Sequence, residues 1–261
     1  GARRAGLDYG LVWQGARYEG LVTVFVEYLT AFGGQILDRY GKAALDSPQG
    51  RAALETMRAS LEQGIVPRAV LGFQEEQARF AFQSGRALFM RNWPYAFALM
   101  QKPDSRVRGR FGVMAMPAGP EGRPAATLGG SQLAINANTD QPEAARRVVR
   151  FLLAPAQMLE RARAVGQFPP RRSLYRTREL ALALPIAPER VQAIIESSVA
   201  RPSIPVYAEL SDILQIHLHR CLSGQEGTED ALRRAASEID ALLSRVGLSP
   251  AAIRGETQRV R

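Results

Sequence analysis

The side chains best suited to metal chemistry fall in one short stretch, His217-x-His219-x-Cys221, which contains both histidines and the single cysteine of the chain. Imidazole and thiolate are ligands that zinc prefers, and on a strand all three would share one face. Apolar residues around them recur at helical spacing, from Ile213 to Leu222. On a helix His219 points away from the other two, and no fourth ligand lies nearby, so we predict no metal site.

Sequence patterns of the common catalytic families are missing. The chain contains no G-x-S-x-G, P-loop, G-x-G-x-x-G, H-E-x-x-H or C-x-x-C pattern. The paired carboxylates Glu75-Glu76 stand at the start of a helical stretch, where the helix dipole explains them better than acid–base work does. We therefore predict a binding protein that is not an enzyme and that uses no cofactor.

Trp93 offers a different kind of chemistry, a flat apolar platform. The polar pair Arg91-Asn92 precedes it and Pro94 follows it directly. This pattern favours a strand end that opens at a cleft, where ligand sites lie in α/β proteins. The alternative is that the indole is simply part of the core. On the first interpretation, Tyr95 would lie in the same segment.

The net charge of +9 raises the question of a nucleic-acid partner. Among the 34 basic residues only Lys42 and Lys102 are lysines, and the arginines scatter along the chain with no run longer than a pair. Such scatter does not produce the basic patch that binds phosphates, so we predict no nucleic-acid partner. The 261 residues, 46% of them hydrophobic, contain no run approaching the ~20 apolar residues of a membrane span.

Hydrophobic periodicity predicts alternating strands and helices in the first half of the chain and helices alone after Asp140. The predicted fold class is α/β, a mixed sheet flanked by helices with a late all-helical segment. The predicted strands are 9–13, 86–91, 111–114 and 131–137, and the predicted helices are 18–32, 48 to a stop at Gly64, 74–84, 93–100, 141–153, 155–165, 188–200, 205–222 and 228–243.

Several motifs, in this order, resemble the extracytoplasmic sugar-binding proteins of ABC importers, of the maltose- and trehalose-binding type. They are Tyr18-Glu19-Gly20-Leu21, Phe82-x-x-Gly85-x-Ala87-x-x-Met90-x-x-Trp93-Pro94, the segment from Gly129 to Ile135, and Arg201-Pro202-x-x-Pro205-x-Tyr207. The resemblance covers roughly residues 9 to 246. The agreement in order carries more weight than any single motif.

The resemblance implies a lobe of the type II periplasmic-binding-protein fold. It also implies a protein that binds a carbohydrate, such as maltose or trehalose, in an interlobe cleft and delivers it to the permease subunits of an ABC transporter. Such a protein would be a monomer in the periplasm or outside the cell, held at the membrane by an N-terminal signal or lipid anchor that this chain lacks. The alternatives are a sugar-sensing domain of the same fold and a basic helical protein that binds nucleic acid.

The resemblance also marks eight candidate ligand-binding residues. For each of them an ordinary structural role is the alternative: core packing for the aromatic side chains, a tight turn for the glycines, a solvated helix-end cation for Arg201. An aromatic residue often found near Ser131 in the family is absent. The candidates are Trp93, Tyr95, Gly129, Gly130, Ser131, Arg201, Tyr18 and Glu19.

The resemblance further implies a division into lobes. Residues 1–130 would form the first part of the second lobe, residues 131–174 would cross to complete the first lobe, and residues 175–261 would add the C-terminal helices of the second lobe. The opening strands of the first lobe are missing from the chain. A crossing segment of roughly 45 residues cannot bury its own core, so we expect it to be the least ordered part.

Overall fold

The computed structural model describes residues 2–119, 122–184 and 186–248, which form two compact units. Unit 1 comprises the chain up to Asn92, residues 115–127 and the chain from Ser198 onward. Unit 2 comprises residues 93–114 and 128–197. The chain therefore passes from one unit to the other at four places.

Two strands and ten α-helices occur among the described residues. In chain order they are β1 (Tyr9–Val12), α1 (Glu19–Ala31), α2 (Pro48–Glu62), α3 (Glu75–Gln83), β2 (Ala87–Met90), α4 (Tyr95–Met100), α5 (Pro142–Leu152), α6 (Pro155–Val165), α7 (Arg178–Ala183), α8 (Pro188–Glu196), α9 (Tyr207–Ser223) and α10 (Thr228–Arg245). Short 3-10 helices cover Ala2–Ala5, Arg68–Gly72 and Arg172–Arg176.

The helix boundaries follow local chemistry. Ser47 caps α2, because its hydroxyl accepts a hydrogen bond from the amide of Gly50 at 3.1 Å and Pro48 occupies the first helical position. Gly166 ends α6 at a φ of 67°, in the left-handed region that glycine adopts without strain. These start and stop signals are the reason that most helices were predicted within a few residues of their bounds.

The sheet of unit 1 consists of β1 and β2, which pair in parallel with Tyr9 opposite Ala87 and Val12 opposite Met90. The amide of Arg91 continues the pairing by donating to the carbonyl of Val12 at 2.9 Å. Because parallel strands run in the same direction, their carboxyl ends lie at one edge. Gln14 and Arg91 therefore emerge side by side just beyond the sheet.

The main hydrophobic core lies in unit 1, where helices α1, α2, α9 and α10 pack together around it. Its largest fully buried side chains include Trp13, Phe25, Leu54, Met57 and Leu214. Helix α1 is apolar almost all round, as is typical of a helix buried on most sides. A smaller core in unit 2 is formed by Met158, Ala162, Leu174, Tyr175, Leu180 and Val191.

Two predicted strands are wrong. Residues 111–114 and 131–137 pair with no other strand in the described parts of the chain, and the described sheet is parallel rather than mixed. Leu133 and Ile135 are 50% and 38% exposed. Alternating polarity only produces a strand when a neighbouring strand pairs with its backbone groups, and the described residues supply none here.

One predicted helix boundary is also wrong. Helix α8 ends at Glu196, not at Ala200, so Arg201 lies in an extended segment and is not a helix-end cation. That segment makes a parallel bridge between Thr127 and Val199. Within the described ranges no helix is both long and apolar enough to cross a membrane.

Candidate ligand-binding site

The predicted site residues of unit 2 lie in two segments, one that begins at Trp93 and one from Gly129 to Ser131. Trp93 follows β2 by three residues, is half-buried and belongs to neither hydrophobic core. Its carbonyl accepts from the amide of Ala96 at 3.1 Å, which starts the turn into α4. Tyr95, the first residue of α4, is also half-buried. The chain thus places two aromatic side chains in the segment after the strand end, as predicted.

Gly129 lies against the indole ring. A Cβ atom at this position would come within 2.8 Å of Cζ3 of Trp93, closer than Cβ atoms come to other heavy atoms in folded proteins. The backbone can therefore approach the ring only because residue 129 is glycine. Gly129, Gly130 and Ser131 are all exposed, and a Cβ at Gly130 would meet nothing within 4 Å. The segment leaves backbone amides and one hydroxyl accessible beside an aromatic platform.

The predicted site residues of unit 1 collect around Glu19, at the first position of α1. Its carboxylate accepts hydrogen bonds from Arg201 at 2.6 Å and from the hydroxyl of Tyr207 at 2.7 Å, both at Oε1. The hydroxyl of Ser211 donates to Oε2. The side chains of Arg201 and Glu19 are 28% and 35% exposed, so this polar cluster is open to solvent on one side.

Two members of this cluster, Tyr207 and Arg201, have raised pKa values. Burial raises the pKa of Tyr207, and the hydrogen bond to Glu19 and the charge of Glu19 raise it further. Burial acts to lower the pKa of Arg201, but the hydrogen bond to Glu19 and the charges of Tyr207 and Glu19 raise it overall. Near neutral pH the cluster therefore presents a guanidinium and a neutral phenol, both hydrogen-bond donors.

Tyr18 precedes α1 in an extended conformation and folds its ring over the first turn of the helix. A Cβ at Gly20 would lie 2.1 Å from the ring atoms of Tyr18, so residue 20 must be glycine for the ring to take this place. The half-buried ring therefore covers the helix start beside Glu19.

The structure thus arranges the eight candidates as two groups, each within its own unit. Trp93, Tyr95 and the Gly129–Ser131 segment lie in unit 2, and Tyr18, Glu19 and Arg201 lie in unit 1. Tyr207 and Ser211 were not predicted as site residues. Tyr207 belongs to the motif that begins at Arg201, which was the available signal, whereas nothing in the sequence singled out Ser211.

A cavity of about 380 Å³ lies in unit 1 beside the extended segment that carries Arg201. It is lined by Val26, Leu29 and Thr30 of α1, by the loop 34–38 and by residues 199–204. Arg201 of the Glu19 cluster is among its lining residues, whereas the α1 residues that line it come from the second half of that helix. We assign it no role.

The His217 stretch lies on α9, as predicted, and each of its side chains has a protein partner. The two ring nitrogens of His217 face Glu226 and Glu238 at 3.1 Å each, and His219 faces the carbonyl of Leu71 at 3.2 Å. Burial raises the pKa of the Cys221 thiol, which disfavours the metal-binding thiolate. In the parts of the chain that the structure describes, no group of three or more metal-ligating side chains occurs.

Comparison with known proteins decides the family. The model of the bacterial extracellular solute-binding protein family matches residues 2–159. The chain belongs to this family. Membership confirms the predicted α/β fold and the resemblance inferred from the motifs, and it agrees with the prediction of a binding protein rather than an enzyme.

Individual relatives of this solute-binding protein support the same family assignment. It is 36% identical over 234 residues to a Deinococcus radiodurans protein named "Probable ABC transporter-binding protein", covering 88% of this chain and 55% of the relative. It is 42% identical to maltose-bound MalE3 of T. maritima, with a TM-score of 0.88, covering 93% of this chain and 62% of that structure. A ribitol complex of a solute-binding protein from Agrobacterium radiobacter K84 is 28% identical, with a TM-score of 0.81 and coverage of 92% and 61%. The chain spans about half the length of the Deinococcus relative.

Proposed function

We propose that this solute-binding protein binds a sugar or a related polyhydroxy compound, with a disaccharide such as maltose or trehalose as the favoured class. The observation that carries the proposal is the half-buried indole of Trp93 with the backbone of Gly129 against it. One face of a sugar ring consists of C–H bonds and packs flat on an indole, while its hydroxyls need separate polar partners. The 42% identity to a maltose-bound protein supports the same class.

Beside Trp93, the polar partners come from the accessible amides of the Gly129–Ser131 segment, which lies in the same unit. The Glu19 cluster of unit 1 offers a second, separate set of polar groups. The guanidinium of Arg201 is a donor with several N–H groups, the phenol oxygen of Tyr207 can accept because its single O–H donates to Glu19, and the Glu19 carboxylate is an acceptor oriented by both. Because Arg201 presents a rigid fork of N–H groups, it can hold two neighbouring hydroxyls at once. We assign Tyr18 a covering role, in which its ring shields the first turn of α1 beside Glu19.

We further propose that the protein acts as a monomer outside the cytoplasmic membrane and delivers its ligand to the permease subunits of an ABC transporter. The family match to extracellular solute-binding proteins and the Deinococcus relative support this role.

The division into lobes remains a proposal. We propose that residues 131–174 cross to complete the first lobe, while residues 1–130 and 175–261 belong to the second. Helix α5 supports this, because it has no buried residue and leaves Val148 and Phe151 56% and 59% exposed. Leu133 and Ile135 are exposed as well. An apolar surface of this kind is typical of an interface, since monomers rarely leave one uncovered. Unit 2 groups residues 128–197 together, so the boundary near residue 174 stays a prediction.

Isothermal titration calorimetry of the full-length protein with maltose, trehalose and ribitol tests the function. We expect saturable binding to at least one of them, with a negative heat-capacity change from buried apolar surface. Failure to bind any mono- or disaccharide or polyol, in a protein that melts cooperatively, would contradict the proposal.

A glycine substitution tests the contact between Gly129 and the indole. Gly129→Ala places a Cβ where the ring now lies and forces Trp93 to shift, so we expect about a tenfold loss of affinity for the tightest of the three ligands. Gly112→Ala is the matched control, because a Cβ there would meet nothing within 4 Å and Gly112 is not a candidate ligand residue. Equal affinities of the two variants would place the ligand elsewhere.

A further inference from the structure

A buried ion pair lies just beyond the carboxyl edge of the sheet in unit 1. Arg91 follows β2 and Glu27 lies on α1, and their side chains are 5% and 2% exposed. The guanidinium binds the carboxylate as a fork, with Nη2 to Oε1 at 2.7 Å and Nε to Oε2 at 2.9 Å. Two parallel hydrogen bonds of this kind fix direction as well as distance.

Three more side chains complete what we call the Glu27 network, formed by Glu27, Arg91, Gln14, Thr23 and Thr127. Gln14 accepts from Nη1 of Arg91 at 2.9 Å and donates to its carbonyl at 3.2 Å. The hydroxyl of Thr23 accepts from Nη2 of Arg91 at 3.3 Å. The amide of Thr127 donates to Oε1 of Glu27 at 3.1 Å, and its hydroxyl donates to the carbonyl of Thr23 at 2.7 Å.

Members of the Glu27 network lie next to the residues at which the chain leaves or re-enters unit 1. Arg91 is next to the passage after Asn92, and Thr127 is the last residue before another. Thr127 also bridges to Val199, next to the passage at Ser198, and the amide of Val199 donates to the carbonyl of Ala126 at 2.8 Å. Three of the four passages are thus tied to one carboxylate, directly or through one backbone bridge.

The spacing to the candidate ligand residues is the same in each case. Trp93 comes two residues after Arg91, Gly129 two residues after Thr127, and Arg201 two residues after Val199. We infer that the Glu27–Arg91 pair is a positioning pair: within unit 1 it fixes residues 91, 127 and 199, each of which comes two residues before Trp93, Gly129 or Arg201. This inference rests on the proposed function for the ligand-binding roles of Trp93, Gly129 and Arg201. The hydrogen bonds of the Glu27 network are present without any ligand.

Physical chemistry favours positioning over stability as the role of this pair. Removing two charges from water costs about as much free energy as their attraction returns, so a buried ion pair is often no more stabilising than an apolar pair of equal volume. What the ion pair adds is directional bonding. A leucine at position 27 would fill the space but offer no acceptor to the amide of Thr127, which would then be held by packing alone.

Amide hydrogen exchange measured by mass spectrometry tests the inference without any ligand. The variants are Glu27→Gln, Arg91→Lys and the double variant Glu27→Leu with Arg91→Met, which removes both charges and keeps the fold accessible if the single variants fail to fold. The matched control is Glu226→Gln, because Glu226 is 4% exposed and forms a buried pair with His217 in the same unit. Each variant is also unfolded in denaturant, so that local opening is compared at known global stability.

We expect amides in residues 92–96, 127–131 and 199–203 to exchange about tenfold faster in the Glu27 and Arg91 variants, and less than about threefold faster in Glu226→Gln at comparable loss of stability. Unchanged exchange of these segments in the double variant would overturn the inference, because packing alone would then hold them. So would equal acceleration by Glu226→Gln. A maltose, trehalose and ribitol titration of the unsubstituted protein separately decides the proposed function, so the two failures are distinguishable.

Discussion

Replacing Trp93 by alanine in the full-length protein is expected to weaken ligand binding by about 2 kcal/mol or more, roughly thirtyfold in Kd, with little change in the free energy of unfolding. The indole is half-buried and lies outside both hydrophobic cores, so its removal costs little packing. In a complex it would be covered by the ligand, and truncating a buried aromatic anchor removes most of its contact area. Calorimetry and a denaturant melt measure the two quantities.

Trp13 provides the matched control for this prediction. It is the other tryptophan of the chain, is 0% exposed and belongs to the main core of unit 1. Trp13→Ala should therefore lower the free energy of unfolding by about 3–5 kcal/mol through lost burial and the cavity left behind. If Trp93→Ala behaves in the same way and its folded fraction binds with unchanged affinity, the ring is a core residue and leaves the ligand site.

Glu226→Ala is expected to lower the free energy of unfolding by about 1.5–3 kcal/mol, the scale of a buried hydrogen bond to a charged group. Glu226 is 4% exposed and faces the ring of His217 at 3.1 Å, and Arg220 and Arg234 approach it at 3.6 Å and 3.4 Å. Removing the carboxylate leaves Nδ1 of His217 without its partner, while Glu238 still faces Nε2, and the half-exposed Arg220 and Arg234 can turn to water. Because the ring of His217 is only 6% exposed, water does not readily replace the lost partner, so the loss exceeds that of an exposed pair.

Glu62→Ala is the matched surface control. Glu62 pairs with Arg58 at 2.8 Å on α2, but the two side chains are 55% and 39% exposed. An exposed pair four residues apart on a helix contributes only about 0.3–0.5 kcal/mol. Urea unfolding of both variants measures the difference between their free energies of unfolding. The dependence of the free energy on urea concentration should be the same in both variants. An ordinary substitution lowers the free energy of unfolding by about 1 kcal/mol. A smaller loss in Glu226→Ala would therefore show that the contacts of Glu226 contribute little to stability.

Local sequence signals determined most of the helices and the class of the fold. Helix α6 matches its predicted bounds, and Ser47 and Pro48 start α2 as the capping pattern predicts. These signals are short-range: a hydroxyl, a proline and a glycine act within one turn of the residues they affect. The order of the motifs around Tyr18, Trp93 and Arg201 was enough to identify the family, which the comparisons confirmed.

Strand pairing could not be determined in this way. Residues 131–137 alternate in polarity as a strand does, yet they lie exposed and unpaired among the described residues. The partner of a strand is set by distant parts of the chain, and the pattern of one segment carries no information about whether that partner is present. The same reason explains why helices, whose hydrogen bonds are internal, were predicted better than strands.

The candidate site was predicted residue by residue, but its bonding was decided by the tertiary structure. The sequence marked Glu19 and Arg201 separately, as a helix-start carboxylate and a helix-end cation, and only the fold brings them to 2.6 Å across 182 residues. The sequence did not predict that Glu27 and Arg91 form a pair. A glutamate within an apolar helix and an arginine after a strand carry no pattern that relates one to the other. Their charges could enter the interior only because the fold joins them 64 residues apart, each offsetting the cost of burying the other.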